Sequence, residues 1–443
     1  HPRRSGGDVT TPIRLHQSAI PPRDLLELFV ASGEDERFYW ERPESGEAIL
    51  ALGAVARIEA CDASRFGDTA DRVREIRALL PAEGDAPPWA GPLLVGGFPF
   101  DSAAPPSRRW AGFPGAELVL PERLLIRRGG ETWCCRAGVG SAAPGRDDLP
   151  GAPHASAREA LADDLPPAFQ ASADRPLGVY RGLVEKALGA IGEGELEKVV
   201  VARSCTVIGS RPFETLRVLR SLRALHPSCT IFALARGPVT FLGATPERLV
   251  RLEEGLVQAD AVAGTAPRGR TPEQDRCLAR ELIESKKDQE EHSVVVRCVL
   301  EALAPHCGTL LAPESPDLLQ TDGIQHRHTP IQGRLRDPSN TPVLELVGDL
   351  HPTPAVGGAP REPALAWLRC HEGLDRGWYA GSLGWLTPGG DGEFAVALRS
   401  LLLRGSEATL FAGAGIVAGS DPDAELLETR LKLRTALAAL LEI

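Results

Sequence analysis

The sequence predicts a large α+β domain in which two antiparallel β-meanders pack as a sandwich and are flanked by helices. Two observations support this prediction. Residues 229–264 alternate apolar strands with tight turns, and residues 378–415 repeat that pattern near the C-terminus. A long helical segment follows each meander, so the chain looks internally duplicated.

The first 170 residues contain short alternating segments that are broken by Gly and Pro. Residues 92–101 and 117–139 are predicted strands. Residues 141–157 form a polar connector rich in Pro, Gly and Ala. We therefore expect three regions: a disordered arm or expression remnant at 1–15, an N-terminal variable part of the same fold at 16–170, and a core at 171–443.

The core region is predicted to begin with two helices, at 178–192 and 214–225, on either side of an apolar strand that begins at Lys198. A third helix is predicted to start at Thr271, because this threonine, the following proline and a glutamine three residues on form a capping box. We expect it to run unbroken to Pro305. A last helix ends the chain.

Composition excludes several classes of function. The net charge of -11 argues against nucleic acid as the main partner. No run of 18 uninterrupted apolar residues occurs, so we expect no membrane span. The nine cysteines include no CxxC pair, which indicates neither a zinc site nor a disulfide framework. A cytoplasmic protein is expected.

Lys198 is unusual because it stands at the start of the apolar strand in GELEKVVVARS. The chain has 49 Lys and Arg residues, but only five of them are lysines: Lys186, Lys198, Lys286, Lys287 and Lys432. A retained lysine therefore indicates a need for a compact ammonium whose pKa can shift. From the residues alone, a strand-edge lysine that faces water remains the alternative.

Acidic residues recur at helical spacing on two predicted helices, and each set shares one face. The first set is Glu284, Asp288 and Glu291 with His292, on the third helix. The second is Glu425 and Glu428 with Lys432, on the last helix. Such sets indicate either a solvated acidic face or a site for a hard cation such as Mg²⁺.

Two loops could shape a pocket. FAGAGIVAGSDP places glycines at 413, 415 and 419, a spacing that does not match GxGxxG. These glycines would instead let backbone N–H groups approach an anion such as a carboxylate. LHPTPAVGGAP, residues 350–360, is a constrained loop that carries His351 and forms either a pocket wall or an ordinary turn.

Together these segments resemble the chorismate-utilising enzymes, a family that includes anthranilate, aminodeoxychorismate, isochorismate and salicylate synthases. The motifs stand in family order from residue 178 to the end, whereas the first 170 residues carry none. They are EKVVVARS, GATPERLV, AVAGTAPRG, ESKKDQEEH, HPTPAVGGAP, RGWYAGSLGW, EFAVALRS and FAGAGIVAGSDPDAELLETRLK. The resemblance implies the fold of that family and a chorismate-binding catalytic core at 171–443.

The resemblance also implies roles for single residues. Lys198 would activate the water that attacks C2 of chorismate, and Glu247 would protonate the departing C4 hydroxyl. Glu291 and Glu428 would hold Mg²⁺, the expected cofactor, against the ring carboxylate. The positions that would line the substrate are Gly264, Thr265, His351, Ala355, Tyr379, Arg399, Gly413, Ala414, Gly415 and Lys432.

Within the family, the water-using isochorismate synthases are the expected class. Lys198 supplies the base that ammonia-using members lack, and Ala263 stands where aminodeoxychorismate synthases often carry lysine. We expect a monomer without a glutaminase subunit, whose product feeds menaquinone or siderophore biosynthesis. The alternatives are a salicylate synthase, which also eliminates pyruvate, an anthranilate-type synthase with a glutaminase partner, and a non-catalytic chorismate-binding relative.

Overall fold

A computed structural model describes residues 11–62, 64–81, 86–103, 107–113, 115–139, 168–321 and 323–441. The connector predicted at 141–157 lies outside these ranges, as do residues 1–10 of the predicted arm. A strand, Ile13–Ile20, begins inside the stretch predicted as an arm. No helix in the described ranges is both long and apolar enough to cross a membrane.

The described residues form 22 strands and nine α-helices. The strands are β1 (Ile13–Ile20), β2 (Glu36–Arg42), β3 (Glu47–Leu52), β4 (Ala56–Ala60), β5 (Leu94–Phe98), β6 (Ala116–Leu120), β7 (Arg123–Arg128), β8 (Glu131–Val139), β9 (Phe169–Ala173), β10 (Lys198–Gly209), β11 (Thr230–Arg236), β12 (Val239–Thr245), β13 (Arg248–Glu253), β14 (Leu256–Pro267), β15 (Cys307–Leu311), β16 (Asp317–Gln320), β17 (Ile324–Leu335), β18 (Gly358–Ala359), β19 (Ser382–Leu386), β20 (Gly392–Val396), β21 (Ser400–Arg404) and β22 (Glu407–Ile416).

The helices are α1 (Leu25–Ala31), α2 (Arg65–Leu79), α3 (Leu177–Gly192), α4 (Thr215–Leu225), α5 (Pro272–Glu284), α6 (Lys286–Leu303), α7 (Val343–Leu350), α8 (Arg361–His371) and α9 (Pro422–Leu441). Two short 3₁₀ turns, Pro88–Ala90 and Arg108–Trp110, complete the described elements.

The strands form two antiparallel sheets. Sheet A has the order β1-β8-β7-β3-β2-β11-β12-β21-β22-β10-β18, with β9 also paired to β10. Sheet B has the order β15-β17-β14-β13-β20-β19-β5-β6-β4, with β16 also paired to β17. Helices α1, α4 and α9 pack on sheet A, and α2, α6 and α7 pack on sheet B. The predicted α+β sandwich is thereby confirmed.

Strand β11 shows why the central strands are apolar at almost every position. Phe232 and Leu234 point into the main core, which side chains from both sheets fill. Ile231 and Ala233 point the other way, into the cluster beneath α1, α4 and α9. Because sheet A is covered on both faces, its central strands lose the alternation of apolar and polar residues.

Each predicted meander is divided between the two sheets. The β11–β12 hairpin lies in sheet A and the β13–β14 hairpin in sheet B, and the chain crosses between them at Pro246 and Glu247. The β19–β20 and β21–β22 hairpins are divided in the same way, and that crossing includes Arg399, with φ of 49°. Pro246 has no N–H group and Arg399 has left-handed backbone, so neither residue can continue a strand.

The helix predicted to run unbroken from Thr271 to Pro305 is two helices, so this prediction was wrong. Helix α5 ends at Glu284, and Ser285 has an extended ψ of 118°. The Ser285 hydroxyl accepts a hydrogen bond from the Asp288 N–H at 3.3 Å and caps α6. A serine that bonds to nearby backbone competes with the helix in this way, and helical periodicity does not reveal it.

A buried ion pair joins α8 to the sandwich. The Arg376 guanidinium donates to both carboxylate oxygens of Glu372, at 2.8 and 2.6 Å. The same guanidinium donates to the carbonyl oxygens of Val200 and Val356, at 2.6 and 2.8 Å. The carboxylate of Glu372 accepts from the Ala202 N–H at 2.8 Å. The pair therefore holds strand β10 against the loop before β18.

We expect Glu372→Ala to lower the free energy of unfolding by about 3–5 kcal/mol, because it leaves the Arg376 guanidinium buried without its carboxylate. Urea denaturation measures this change. Glu362→Ala, which removes an exposed glutamate from the first turn of α8, is the control and should change stability by less than about 1 kcal/mol. Equal effects of the two substitutions would contradict the assignment.

Candidate active site

A small cavity of about 60 Å³ lies where the chain crosses between the sheets. It brings together ten residues that the sequence predicted for one site. They are Glu247, Gly264, Thr265, Glu291, Ala355, Tyr379, Arg399, Gly413, Gly415 and Lys432. The two crossings are joined by hydrogen bonds: the Val396 N–H donates to the Glu247 carbonyl at 3.1 Å, and the Thr245 hydroxyl donates to the Val396 carbonyl at 2.6 Å.

Lys198 is the first residue of β10 and is completely buried. Its Nζ lies 3.1 Å from Glu291 Oε1, on helix α6. Burial raises the pKa of Glu291, but Lys198 and two further lysines outweigh it and hold that pKa below its usual range. A Cβ at Gly415 would lie 2.0 Å from Glu291 Oε1, so only glycine lets β22 approach this ion pair.

The pKa of Glu247, another carboxyl group of the cavity, is shifted in the opposite direction. Burial, together with the Asp260 carboxylate, raises the pKa of Glu247 to about 8, although Lys198, Lys432 and Arg399 act in the other direction. The carboxyl group is therefore protonated at neutral pH. The cavity wall thus carries a proton donor at Glu247 and an ionised carboxylate at Glu291.

A cluster of acids and lysines extends from Glu291 to the start of α9. The Lys287 Nζ lies 3.0 Å from Glu425 Oε1 and 3.5 Å from Glu291 Oε2. Glu428 pairs with Lys432 at 2.6 Å. Glu284, which the sequence grouped with Glu291, belongs to α5 and forms no ion pair with this cluster among the described residues.

The donor chemistry of this cluster fits a divalent cation. Oε2 of Glu425 is buried without a hydrogen-bond partner, and burial with the nearby Glu428 raises the pKa of Glu425 to about 7. Carboxylate oxygens are the ligands that Mg²⁺ prefers. As they stand, no three acidic, histidine or cysteine side chains of the described ranges converge on one metal position. The Lys287 ammonium lies between Glu291 and Glu425 instead.

Arg399 and Tyr379 also line the cavity. One terminal nitrogen of Arg399 donates to Nε2 of His326 at 2.7 Å, and the other is buried without a partner. The Tyr379 ring stacks on Phe411 at 5.1 Å, and burial raises the pKa of its hydroxyl to about 12. An unpaired guanidinium nitrogen beside a protonated phenol is a site that can bind a carboxylate.

His326 is a residue of this wall that sequence reasoning missed. Its Nδ1–H donates to the Gly264 carbonyl at 3.1 Å, so Nε2 is left to accept from Arg399. Burial and the Arg399 charge keep the pKa of His326 well below its usual range, so the ring is neutral. A histidine within a mostly polar strand gives no periodic or motif signal, and only the strand pairing of β14 with β17 reveals its role.

Four predicted residues are not part of the wall. Lys198 and Glu428 do not line the cavity, but each contacts a residue that does, Glu291 and Lys432 respectively. Ala414 is buried between Gly413 and Gly415, on the other face of β22.

His351 lies outside the cavity. Its Nε2–H donates to the Pro99 carbonyl at 3.1 Å, and burial lowers the pKa of the ring to about 3. The loop that carries His351 contributes to the cavity through Ala355 and Val356.

Comparisons with known proteins find matches over nearly the whole chain. A family model described as chorismate binding enzyme matches residues 8–441. The salicylate biosynthesis isochorismate synthase of Pseudomonas aeruginosa is 38% identical, over 95% of this chain and 89% of its own length. The isochorismate synthase MenF of Bacillus subtilis is 33% identical, over 95% of this chain and 91% of its own length. The solved structure of the menaquinone-specific isochorismate synthase MenF from Escherichia coli has a TM-score of 0.77 at 28% identity, and covers 97% of this chain and 95% of that one. The resemblance stated from the sequence is confirmed.

The raised pKa of Glu247 predicts a pH-dependent stability difference. Between pH 4.5 and pH 8 the unfolded carboxyl group ionises but the folded one does not, so the folded state loses stability by about 1.4 kcal/mol per pH unit. Glutamine cannot ionise. Relative to the parent, Glu247→Gln should therefore gain roughly 3–4 kcal/mol in free energy of unfolding from pH 5 to pH 8. Urea denaturation at both pH values measures it. Glu290→Gln, at an exposed position of α6, is the control, and a difference that is the same at both pH values would show that Glu247 titrates normally.

Proposed function

The chain belongs to the family of chorismate binding enzymes, and from this membership we propose that it converts chorismate into isochorismate. The observation that supports this most directly is Glu247, a protonated carboxyl group on the wall of a cavity that also holds Arg399 and Lys432. A reaction that expels a hydroxyl group needs such a proton donor. Displacement by water needs no ammonia, so no glutaminase subunit is required.

The proposed reaction replaces the hydroxyl group at C4 of the ring with a new hydroxyl group at C2. A water molecule loses a proton to the Lys198 amine as its oxygen bonds to C2. The ring double bonds shift, the C4–O bond breaks, and Glu247 protonates the departing oxygen, which leaves as water. Because one water enters and one leaves, substrate and product are isomers.

Lys198 must be unprotonated to act as this base. In the present arrangement Glu291 Oε1 lies 3.1 Å from the Lys198 Nζ. Glu291 and Glu428 are the residues that would hold Mg²⁺, which when bound would neutralise the ring carboxylate and draw charge from the reacting carbons. Glu291 can therefore contact either Lys198 or the metal. For Lys198 to act as the base, we propose that Glu291 binds the metal.

The remaining wall residues would orient chorismate, which carries two carboxylates. The unpaired nitrogen of Arg399 and the Tyr379 hydroxyl would bind the carboxylate of the enolpyruvyl side chain. Apolar side chains such as Val200, Val262 and Phe411 complete the wall and limit the water that reaches the ring. The pathway that consumes the product is either menaquinone or siderophore biosynthesis, and the compartment we propose is the cytoplasm.

We expect the purified protein to convert chorismate into isochorismate when Mg²⁺ is present, without ammonium, and to stop when EDTA is added. Chromatography of the products with and without ammonium measures this. Salicylate with pyruvate would favour a salicylate synthase instead, and an aminated product that requires ammonium would favour an anthranilate-type synthase. Absence of any turnover would favour a non-catalytic relative.

Lys198→Ala and Glu247→Gln should each lower kcat by about 10²–10⁴-fold, because each removes one proton-transfer group. Steady-state kinetics with chorismate measures the effect. Lys186→Ala is the matched control, since it removes another of the five lysines from an exposed position on α3. Full turnover by Lys198→Ala would refute the base assignment.

A further inference from the structure

A second cavity, of about 480 Å³, lies at an edge of sheet A. Strand β10 pairs with β18 at Lys198–Val199 and with β9 at Cys205–Gly209, so in the described residues the edge between these pairings has no neighbouring strand. The start of α3, the 3₁₀ turn Arg108–Trp110 and the loop after α8 surround this gap. No described residue lines both this cavity and the active-site cavity. Cavities of a few hundred Å³ are the size that small organic ligands occupy.

The acidic side chains that line this second cavity already have partners within the protein. Asp174 pairs with Arg109 at 2.8 Å, and Glu372 pairs with Arg376 at 2.6 Å. Asp375 accepts hydrogen bonds from two backbone N–H groups, at 2.7 and 2.9 Å. The acids therefore do not make the cavity a site for a cation.

Arg203, on β10, lines the cavity and has donors to spare. Its Nε donates to the Thr429 hydroxyl at 2.7 Å, and its guanidinium carbon lies 6.0 Å from the centroid of the Tyr180 ring. Within the described part of the chain, neither terminal nitrogen of Arg203 has a hydrogen-bond partner, and the side chain forms no ion pair. Arg108, which is exposed, adds a second cation to the lining. A guanidinium with both terminal nitrogens free can bind a carboxylate through two parallel hydrogen bonds.

The N-terminus of α3 is a second and independent feature that favours an anion. Leu177 and Val179, in the first turn of this 16-residue helix, line the cavity. No side chain caps the helix at Pro176, and the first turn contains no acidic residue. The partial positive charge at the start of a helix is stabilised by an anion nearby. Arg203 and α3 therefore favour the same kind of ligand from two different elements.

Much of the remaining lining is apolar. Tyr180 and Leu183, both buried, line the cavity together with Leu374. Val179, with 49% of its surface exposed, lies on the solvent side. A ligand with an apolar body would cover these side chains, while its charged group would fix its orientation.

We propose that this second cavity binds a small organic carboxylate with a compact apolar body, such as an aromatic ring. The carboxylate would pair with the terminal nitrogens of Arg203, near the first turn of α3, and the ring would lie against Tyr180 and Leu183. The site is separate from the one that would bind chorismate. The inference does not rest on the proposed function, because binding is measured without turnover.

A fluorine NMR titration of the whole chain with 4-fluorobenzoate tests this inference. The probe should bind with a Kd of roughly millimolar, as its few atoms allow. Arg203→Gln should weaken binding about 10–100-fold, because it removes the charged partner of the carboxylate. The uncharged probe 4-fluorobenzamide should bind correspondingly more weakly to the parent.

Two further variants separate the cavity from general charge. Val179→Trp should also weaken binding, because it fills the cavity from an exposed position without removing a charge. Arg430→Gln is the matched control: Arg430 is exposed on α9 and acts electrostatically on Arg203, but it does not line the cavity. It should change the Kd less than about threefold.

Four results would overturn the inference. They are no binding of the probe at tens of millimolar, equal binding of the amide and the carboxylate, equal effects of Arg203→Gln and Arg430→Gln, and binding that Arg399→Gln abolishes while Arg203→Gln does not. The last result would place the probe in the active site. Turnover of chorismate, present or absent, changes none of these readings.

Discussion

The active-site cavity depends on the hydrogen bonds that fasten the two chain crossings to each other. The Glu247 carbonyl and the Thr245 hydroxyl both bond to the backbone of Val396. Glu247 and Arg399 come from hairpins that are about 150 residues apart in the chain, yet these bonds make them parts of one wall. The central strands of sheet A are covered on both faces by apolar side chains. At the crossings, polar side chains can point into the interior without interrupting the hydrogen bonds between strands.

The two buried carboxyl groups of the cavity have pKa values shifted in opposite directions. Glu247 and Glu291 are both buried, but the pKa of the first is raised to about 8 and that of the second is held below its usual range. The two carboxyl groups differ because Glu291 contacts Lys198 directly, whereas burial dominates at Glu247 and outweighs the cations around it. Opposite shifts of this kind are how one site supplies both an acid and an ionised carboxylate at one pH.

Strand patterns in the sequence predicted the sandwich, and the motifs predicted ten residues of the cavity wall. Glycines of these motifs are predictable because close packing leaves no room for a side chain. Gly415 is an example, since any side chain there would collide with Glu291. Contacts between distant strands were not predictable. His326 reaches the cavity through the pairing of β14 with β17, and His351 turns toward Pro99 although its loop reaches the cavity. The break at Ser285 was missed because a capping serine does not disturb helical spacing.

The sheets also run without interruption through the boundary drawn near residue 170. Strand β2 pairs with β11 in sheet A, and β5 pairs with β19 in sheet B. A polypeptide that began after residue 170 would therefore expose two long, apolar strand edges with unsatisfied backbone groups. Such edges are templates for intermolecular pairing. The N-terminal third carries none of the family motifs. Its strands pair with the edges of the motif-bearing strands and so prevent those edges from pairing with other molecules.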